Sequence, residues 1–406
     1  MPEEPAQNYD SFSHTWTATQ TFATDIFVAT ARIGRDGGNL RLGLNAVRPE
    51  ATGATNVGIG DGVLSGLTTG FRNVVVGSNS GQSITTGYFN VLAGYAGVNL
   101  TSASYNVFLG ADCGNATTST SGNVGIGLNT MLAATGCSNC VALGSSALRN
   151  AEGLSGIVAI GIGACQSLTT GVGTIGVGHN AAAATTTGQL NSAFGAEALV
   201  ANIAGSHNSA FANYALDANE GSRNSGFGFA TGYRQKAGND NLFAGFTAGR
   251  GEDIEDGVAT YYDVNRTTAI GAEAMRLGIK TGADDNTALG YRAGYNVTTG
   301  TANSLVGSGA GSDLTTGERN IVVGLNKQVD SATGSDQINV GDRYFHDRIH
   351  LLERSADPTA PAEGNCVVWM SDGNGKGADG DVLIASTADG VTRWATLFSH
   401  HAGEEW

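Results

Sequence analysis

Apolar and polar positions alternate along this chain in short, evenly spaced bursts. A five-residue phrase opens on Asn, runs through three mostly small or β-branched residues and closes on Gly, as in Asn56-Val57-Gly58-Ile59-Gly60 and Asn320-Ile321-Val322-Val323-Gly324. The closing position falls at 43, 60, 77, 94, 110, 127, 144, 161, 178, 195, 212 (Ala212), 228, 245, 271, 290, 307, 324 and 341. Of the seventeen intervals, thirteen are 17 residues, two are 16, one is 19 and one is 26. A step this regular predicts a stack of equivalent coils, each burying its apolar face only against its neighbours.

Within each phrase the period-two alternation predicts a short strand. Its second and fourth residues, mostly Val, Ile, Leu, Phe, Ser or Thr, are expected to form the buried face, with the small middle residue turned outward. Later in the unit comes a turn such as Thr68-Thr69-Gly70, Thr169-Thr170-Gly171 or Thr315-Thr316-Gly317. Two short legs and two turns make one rung of a parallel β-solenoid, or β-roll. Eighteen rungs at ~4.8 Å would extend for roughly 85 Å. Equal steps place like on like. The first position is Asn in thirteen of eighteen units, so a hydrogen-bonded asparagine ladder is expected; Phe194, Phe211 and Phe227 are expected to stack. Each rung has few apolar side chains, and so thin a core points to a homotrimer.

Composition narrows the choice. Gly supplies 62 of 406 residues and Pro only 5, with no three-residue period, which excludes collagen; 41% hydrophobic residues argue against disorder. The net charge of −15 disfavours nucleic acid as a partner. No secretory leader is visible at Met1-Pro2-Glu3-Glu4-Pro5, and no run is long and apolar enough for membrane insertion. Cys113, Cys137, Cys140, Cys165 and Cys366 are too few and too scattered for a disulfide framework, and most sit where other units carry small residues, so they are read as core filler.

The phrases Asn191-Ser192-Ala193-Phe194-Gly195 and Asn286-Thr287-Ala288-Leu289-Gly290, with Ala-Leu or Ala-Gly following and a Thr-Thr-Gly turn, resemble the repeats of bacteriophage tail fibre and tail spike proteins. A similar phrase builds the β-roll heads of trimeric autotransporter adhesins. The segment from Asp357-Pro358 through Trp369-Met370-Ser371-Asp372-Gly373 resembles the C-terminal module of phage fibre-type proteins. Without a visible leader or anchor, the phage resemblance is preferred. It implies a virion component, folded in the host cytoplasm and resident in the tail. Its expected partners are two further copies of itself, other tail or baseplate proteins through the N-terminus, and a host cell-surface glycan or protein. Passive spacer or decoration fibres of the virion are an alternative role.

The resulting domain division is a capping and attachment segment at 1–38, a solenoid shaft at 39–341, a connector at 342–356 and a small antiparallel β module at 357–406. The 26-residue step carries an acidic, tyrosine-bearing insertion, and insertions in solenoids leave as loops. Glu252, Asp253, Glu255, Asp256, Tyr261 and Tyr262 are therefore receptor-binding candidates, as are Trp369 and Trp394 in the terminal module. His346 and His350, four apart, are weak metal candidates, and the loop from Asp372 to Gly377 only begins like a calcium site, with Lys376 in a ligand slot. No cofactor is implied. A polysaccharide depolymerase would need two carboxylates about 5–10 Å apart; Glu197 and Glu273 occupy equivalent positions in well-separated rungs. The chain is not read as an enzyme.

Overall fold

The computed structural model describes residues 38–251, 261–277 and 279–341, together with strands at 26–28, 31–36, 353–354, 366–371, 382–388 and 391–398. The chain divides into two units, 1–341 and 342–406. The described residues form strands and turns, and no helix.

The first unit is a parallel β-solenoid of eighteen strands. It begins with Asn39–Leu42, and seventeen three-residue strands follow, from Val57–Ile59 to Ile338–Val340. The register is strict, with Val57 opposite Val74 and Gly58 opposite Val75. It survives the irregular steps: Leu92 faces Phe108 across a 16-residue interval, and Phe243 faces Ala269 across the 26-residue one. The turns therefore absorb every length change. A slip of one residue in the strand would turn its whole inward face outward.

The strand's orientation is the reverse of the expected one. The middle residue points in: Val75, Leu92, Phe108, Ala142 and Leu305 are buried. The second and fourth residues, such as Val74 and Val76, stand at the surface. The reason lies across the rung, four residues beyond the closing Gly, where a second inward column faces the first. A Cβ on Gly58 would meet Val47 Cγ2 at 2.6 Å, and one on Gly176 would meet Cys165 Sγ at 2.6 Å. Where the middle residue is large, the facing column shrinks: a Cβ on Gly114 would come 2.5 Å from the Phe108 ring, and one on Gly311 would come 2.6 Å from Leu305. In most rungs small faces large, as close packing requires; where both are small, as at Gly226 and Gly232, Leu216 and Phe243 of the adjacent rungs take up the space.

The first position also points in, and the asparagine ladder forms there. The Asn56 Oδ1 accepts from the backbone N–H of Asn73 at 2.9 Å and from its Nδ2 at 3.0 Å; that Nδ2 also donates to the Gly87 carbonyl at 2.9 Å. Each amide thus ties three levels together and satisfies polar groups that have no access to water. In the Thr-Thr-Gly turn the first hydroxyl donates to the next level's carbonyl, as from Thr68 to Thr85 at 2.9 Å and from Thr298 to Thr315 at 3.1 Å. The phenylalanines stack as expected, with centroids 5.0 Å apart for Phe194–Phe211 and 5.3 Å for Phe211–Phe227.

The second leg forms no strand. Residues two and four beyond the closing Gly take left-handed φ even when they are not glycine, as at Ser146 (59°) and Leu148 (50°). A chain that switches hand every second residue cannot continue a ladder of its own. It is held instead by bonds between levels, such as Val47 N–H to the Val63 carbonyl at 2.8 Å. The closing Gly is a steric requirement at most rungs: at Gly77 (φ +132°) a Cβ would lie 1.9 Å from the Gly94 carbonyl oxygen. Ala212 alone among these corners takes this conformation with a side chain.

At the N-terminal end, β1 (Ile26–Val28) pairs antiparallel with β2 (Ala31–Asp36), and β2 pairs antiparallel with β3, the Asn39–Leu42 strand of the first rung. In the second unit Cys366–Ser371, Val382–Ala388 and Val391–Phe398 pair antiparallel in order, and Glu353–Arg354 lies parallel to the first of them.

Candidate functional site

The outward face of the strands is the most extensive feature. It carries two side chains per rung over eighteen rungs, and none is charged. The fourth position is apolar in every rung, from Leu42 and Ile59 to Val323 and Val340. Many of these side chains are exposed, among them Val76, Ile126, Phe211, Phe227, Leu289 and Val340. A water-facing strand surface ordinarily carries charges, and uninterrupted apolar patches of more than a few hundred Å² mark contact surfaces.

Aromatic and arginine side chains gather in three further places. At the corner before the strands, Phe71 stacks on Tyr88 (5.0 Å) and Phe89 on Tyr105 (5.4 Å), with the Arg72 guanidinium 5.2 Å from the Phe89 centroid. On the second leg, Phe229 stacks on Phe246 (5.6 Å) and Arg250 lies 5.5 Å from Tyr233. Farther along, Arg292 sits 5.1 Å from Tyr291 and 5.0 Å from Tyr295, at the edge of a cleft of about 300 Å³.

Among the carboxyls, Asp217 is perturbed most. Burial pushes it up to about 7 against the opposing N–H of Ala218 and the charges of Arg234 and Arg250, and its Oδ1 accepts no hydrogen bond. Glu273 is bound on both sides, to Arg292 at 2.6 Å and Arg276 at 3.1 Å. Among the described residues, no three His, Cys, Asp or Glu side chains converge as metal ligands. Cys113, Cys137, Cys140 and Cys165 are free, buried thiols within the core.

Glu252, Asp253, Glu255 and Asp256 lie outside the described residues, as do His346, His350 and the loop from Asp372 to Gly377. The tyrosine pair splits. Tyr261 is exposed, with the Lys236 ammonium 5.9 Å from its ring, whereas Tyr262 is a core residue whose hydroxyl donates to the Gly249 carbonyl. Trp369 pairs with Leu383 in the terminal sheet, and Trp394 packs on Leu383 and Ala385. The first two aromatic–arginine groups escaped the sequence reading because their stacked rings belong to different units, whereas Tyr291, Arg292 and Tyr295 share one unit and differ from what its neighbours carry. Aligning the units and reading down each column recovers them.

Comparison with known proteins finds no family, no curated protein and no solved structure that matches this chain.

Proposed function

We propose that this chain is a homotrimeric fibre or spike of a bacteriophage tail, a structural virion protein whose exposed surfaces attach the particle to its host cell. The uncharged outward strand face supports this most directly. Such a face needs a cover, and the cover must match eighteen rungs at a ~4.8 Å repeat. Another copy of the same solenoid has that period. Three copies around a common axis are what the resemblance to phage fibres and adhesin heads implies, and several equivalent sites on one shaft would bind a cell surface with avidity. The phage assignment itself rests on the repeat phrases quoted above.

The test has two parts. The mass of the full chain in solution is expected at three times 41.2 kDa, and Leu143→Glu with Ile160→Glu is expected to disperse the oligomer. A wild-type chain that stays monomeric at all concentrations overturns the assembly. Antibodies to the chain should label the tail of isolated particles, and added protein should compete with their adsorption. Particles that adsorb equally well in its presence overturn the attachment role.

A further inference from the structure

We infer that the cleft beside Arg292 binds an acidic saccharide. The inference rests on the attachment reading and gives it a ligand class. The cleft arises from a step in side-chain size between stacked units. Positions one and five beyond the closing Gly are Tyr291 and Tyr295 in one rung, and Ser308 and Ser312 in the next. Stacking turns that step into a notch, with tyrosines for a wall, Ser308, Gly309 and Ser312 for a floor, and Asn326 from the rung beyond closing the far side. Its volume of about 300 Å³ is at the lower end of small-ligand sites.

The chemistry of the lining matches a carboxylated sugar. Tyrosine rings offer flat apolar faces for the C–H side of a pyranose, and serine hydroxyls and the asparagine amide offer partners for its hydroxyls. Arg292 supplies the charge. It is held in place before any ligand arrives, since its Nε donates to Glu273 at 2.6 Å and its guanidinium lies 5.1 and 5.0 Å from the centroids of the two rings. Its Nη groups present further donors, in the fork that suits a carboxylate. Glu273 is shared with Arg276, so two guanidiniums meet one carboxylate and a positive charge remains in excess. The chain as a whole carries −15. Distant charges are screened over about 8 Å at physiological salt, so the local excess decides. The notch lies beyond the glycine corner, off the strand face that the trimer would cover.

The experiment is a calorimetric titration of the full chain with oligogalacturonate and with sialyllactose as acidic probes, and with maltotetraose as the neutral one. At least one acidic probe is expected to bind, with the neutral probe tenfold weaker or worse. Arg292→Gln and Tyr295→Ala should each weaken acidic binding tenfold or more. Ser308→Trp, which fills the notch at a position where another rung carries Phe229, should do the same without touching Arg292 or the tyrosines. Circular dichroism checks that each variant folds. Failure of both acidic probes to bind, equal binding of the neutral probe, or unchanged affinity in all three variants overturns the site. Particle adsorption is scored separately: a chain that competes with adsorption yet binds neither acidic probe loses this site and keeps its attachment role.

Discussion

The rungs from Asn39 to Asn123 and those at Cys140, Ile157 and Thr174 solve one packing problem in two ways. In the first group the inward corner is polar. An asparagine amide meets a backbone carbonyl thirteen or fourteen places on, whatever side chain that residue carries, as Asn73 does with Gly87 at 2.9 Å and Asn123 with Cys137 at 2.8 Å. In the second group the asparagine is replaced, and at Thr174 the corner stays polar through a hydroxyl that donates to the Gly188 carbonyl at 3.3 Å. Cys140 and Ile157 replace the asparagine, Cys137 and Leu154 stand three residues before them where several other units carry glycine, and these four buried side chains make an apolar plug. Strand pairing crosses the junction without a fault, Val141 to Val158 to Ile175. Parallel bridges between Thr135 and Glu152, and between Ser138 and Ser155, appear alongside. The ladder is thus one way of completing a corner and is not needed for register. Removing one amide from the middle of the ladder is a different matter, because it leaves the buried polar groups of its neighbours without a partner.

Breaking the ladder should therefore have the largest effect. Asn73→Leu removes the bonds to Asn56 Oδ1 and the Gly87 carbonyl and strands the Asn90 N–H. We expect a loss of about 3–5 kcal/mol in denaturant unfolding, against about 1 kcal/mol for Ile157→Val in the apolar corner. Equal losses would dissolve the distinction. Next comes the volume rule shared by both regions. Gly114→Leu collides with Phe108 and should cost about 2–3 kcal/mol, and adding Phe108→Ala should restore most of it, as measured in a double-mutant cycle. Additive losses would mean that the two columns do not exchange volume.

Asp217 offers a smaller and pH-dependent contrast, a buried polar group whose Oδ1 has no partner. Its carboxyl titrates near 7 in the fold and near 3.8 when unfolded. Between those values the native state holds a proton that the unfolded chain has released, so stability falls as pH rises from about 4 to 7. Asp217→Asn should match the wild type at pH 4 and exceed it by about 2 kcal/mol at pH 8, roughly half of what the full shift is worth, because the carboxylate is partly reached by water. An equal gain at both pH values would point to packing instead of charge. The smallest effect is expected from Cys140→Asn. The thiol sulfur already lies 3.9 Å from the Leu154 carbonyl, and the Cys140 N–H already donates to Asn123. The new amide would extend the ladder by one level, with a change below about 1 kcal/mol and slower exchange of the Cys140-position N–H.

Much of the solenoid was legible because repetition averages out local ambiguity. The period, the strand positions, the asparagine ladder and the phenylalanine stack all follow from residues recurring at one step. The orientation of the strand was not read correctly. Val57 and Ile59 flanking Gly58 look like a buried pair around an exposed gap, and only the facing column shows that the gap is filled from the other side. That signal is present in the sequence as a trade of size between Phe108 and Gly114, or Gly58 and Leu64, and it requires comparing two columns across units. The left-handed residues of the second leg were illegible for a different reason. Leu148 and Ser146 have no intrinsic preference for positive φ, and bonds between levels impose it. The cleft at Arg292 depends on a difference between adjacent units, which a search for sameness discards.

A stack of identical parallel coils has no inherent length, since its last edge offers the same donors and acceptors as every edge inside it. At the N-terminal end the chain reverses twice before the first rung, so that β2 lies antiparallel on β3 and β1 presents only three residues beyond it. Having reversed twice, β1 runs in the direction of the rungs again, so what sets this end apart is the antiparallel β2 between it and the first rung. The parallel stack is interrupted at β2, and the number of coils in the shaft follows from the number of repeats in the sequence.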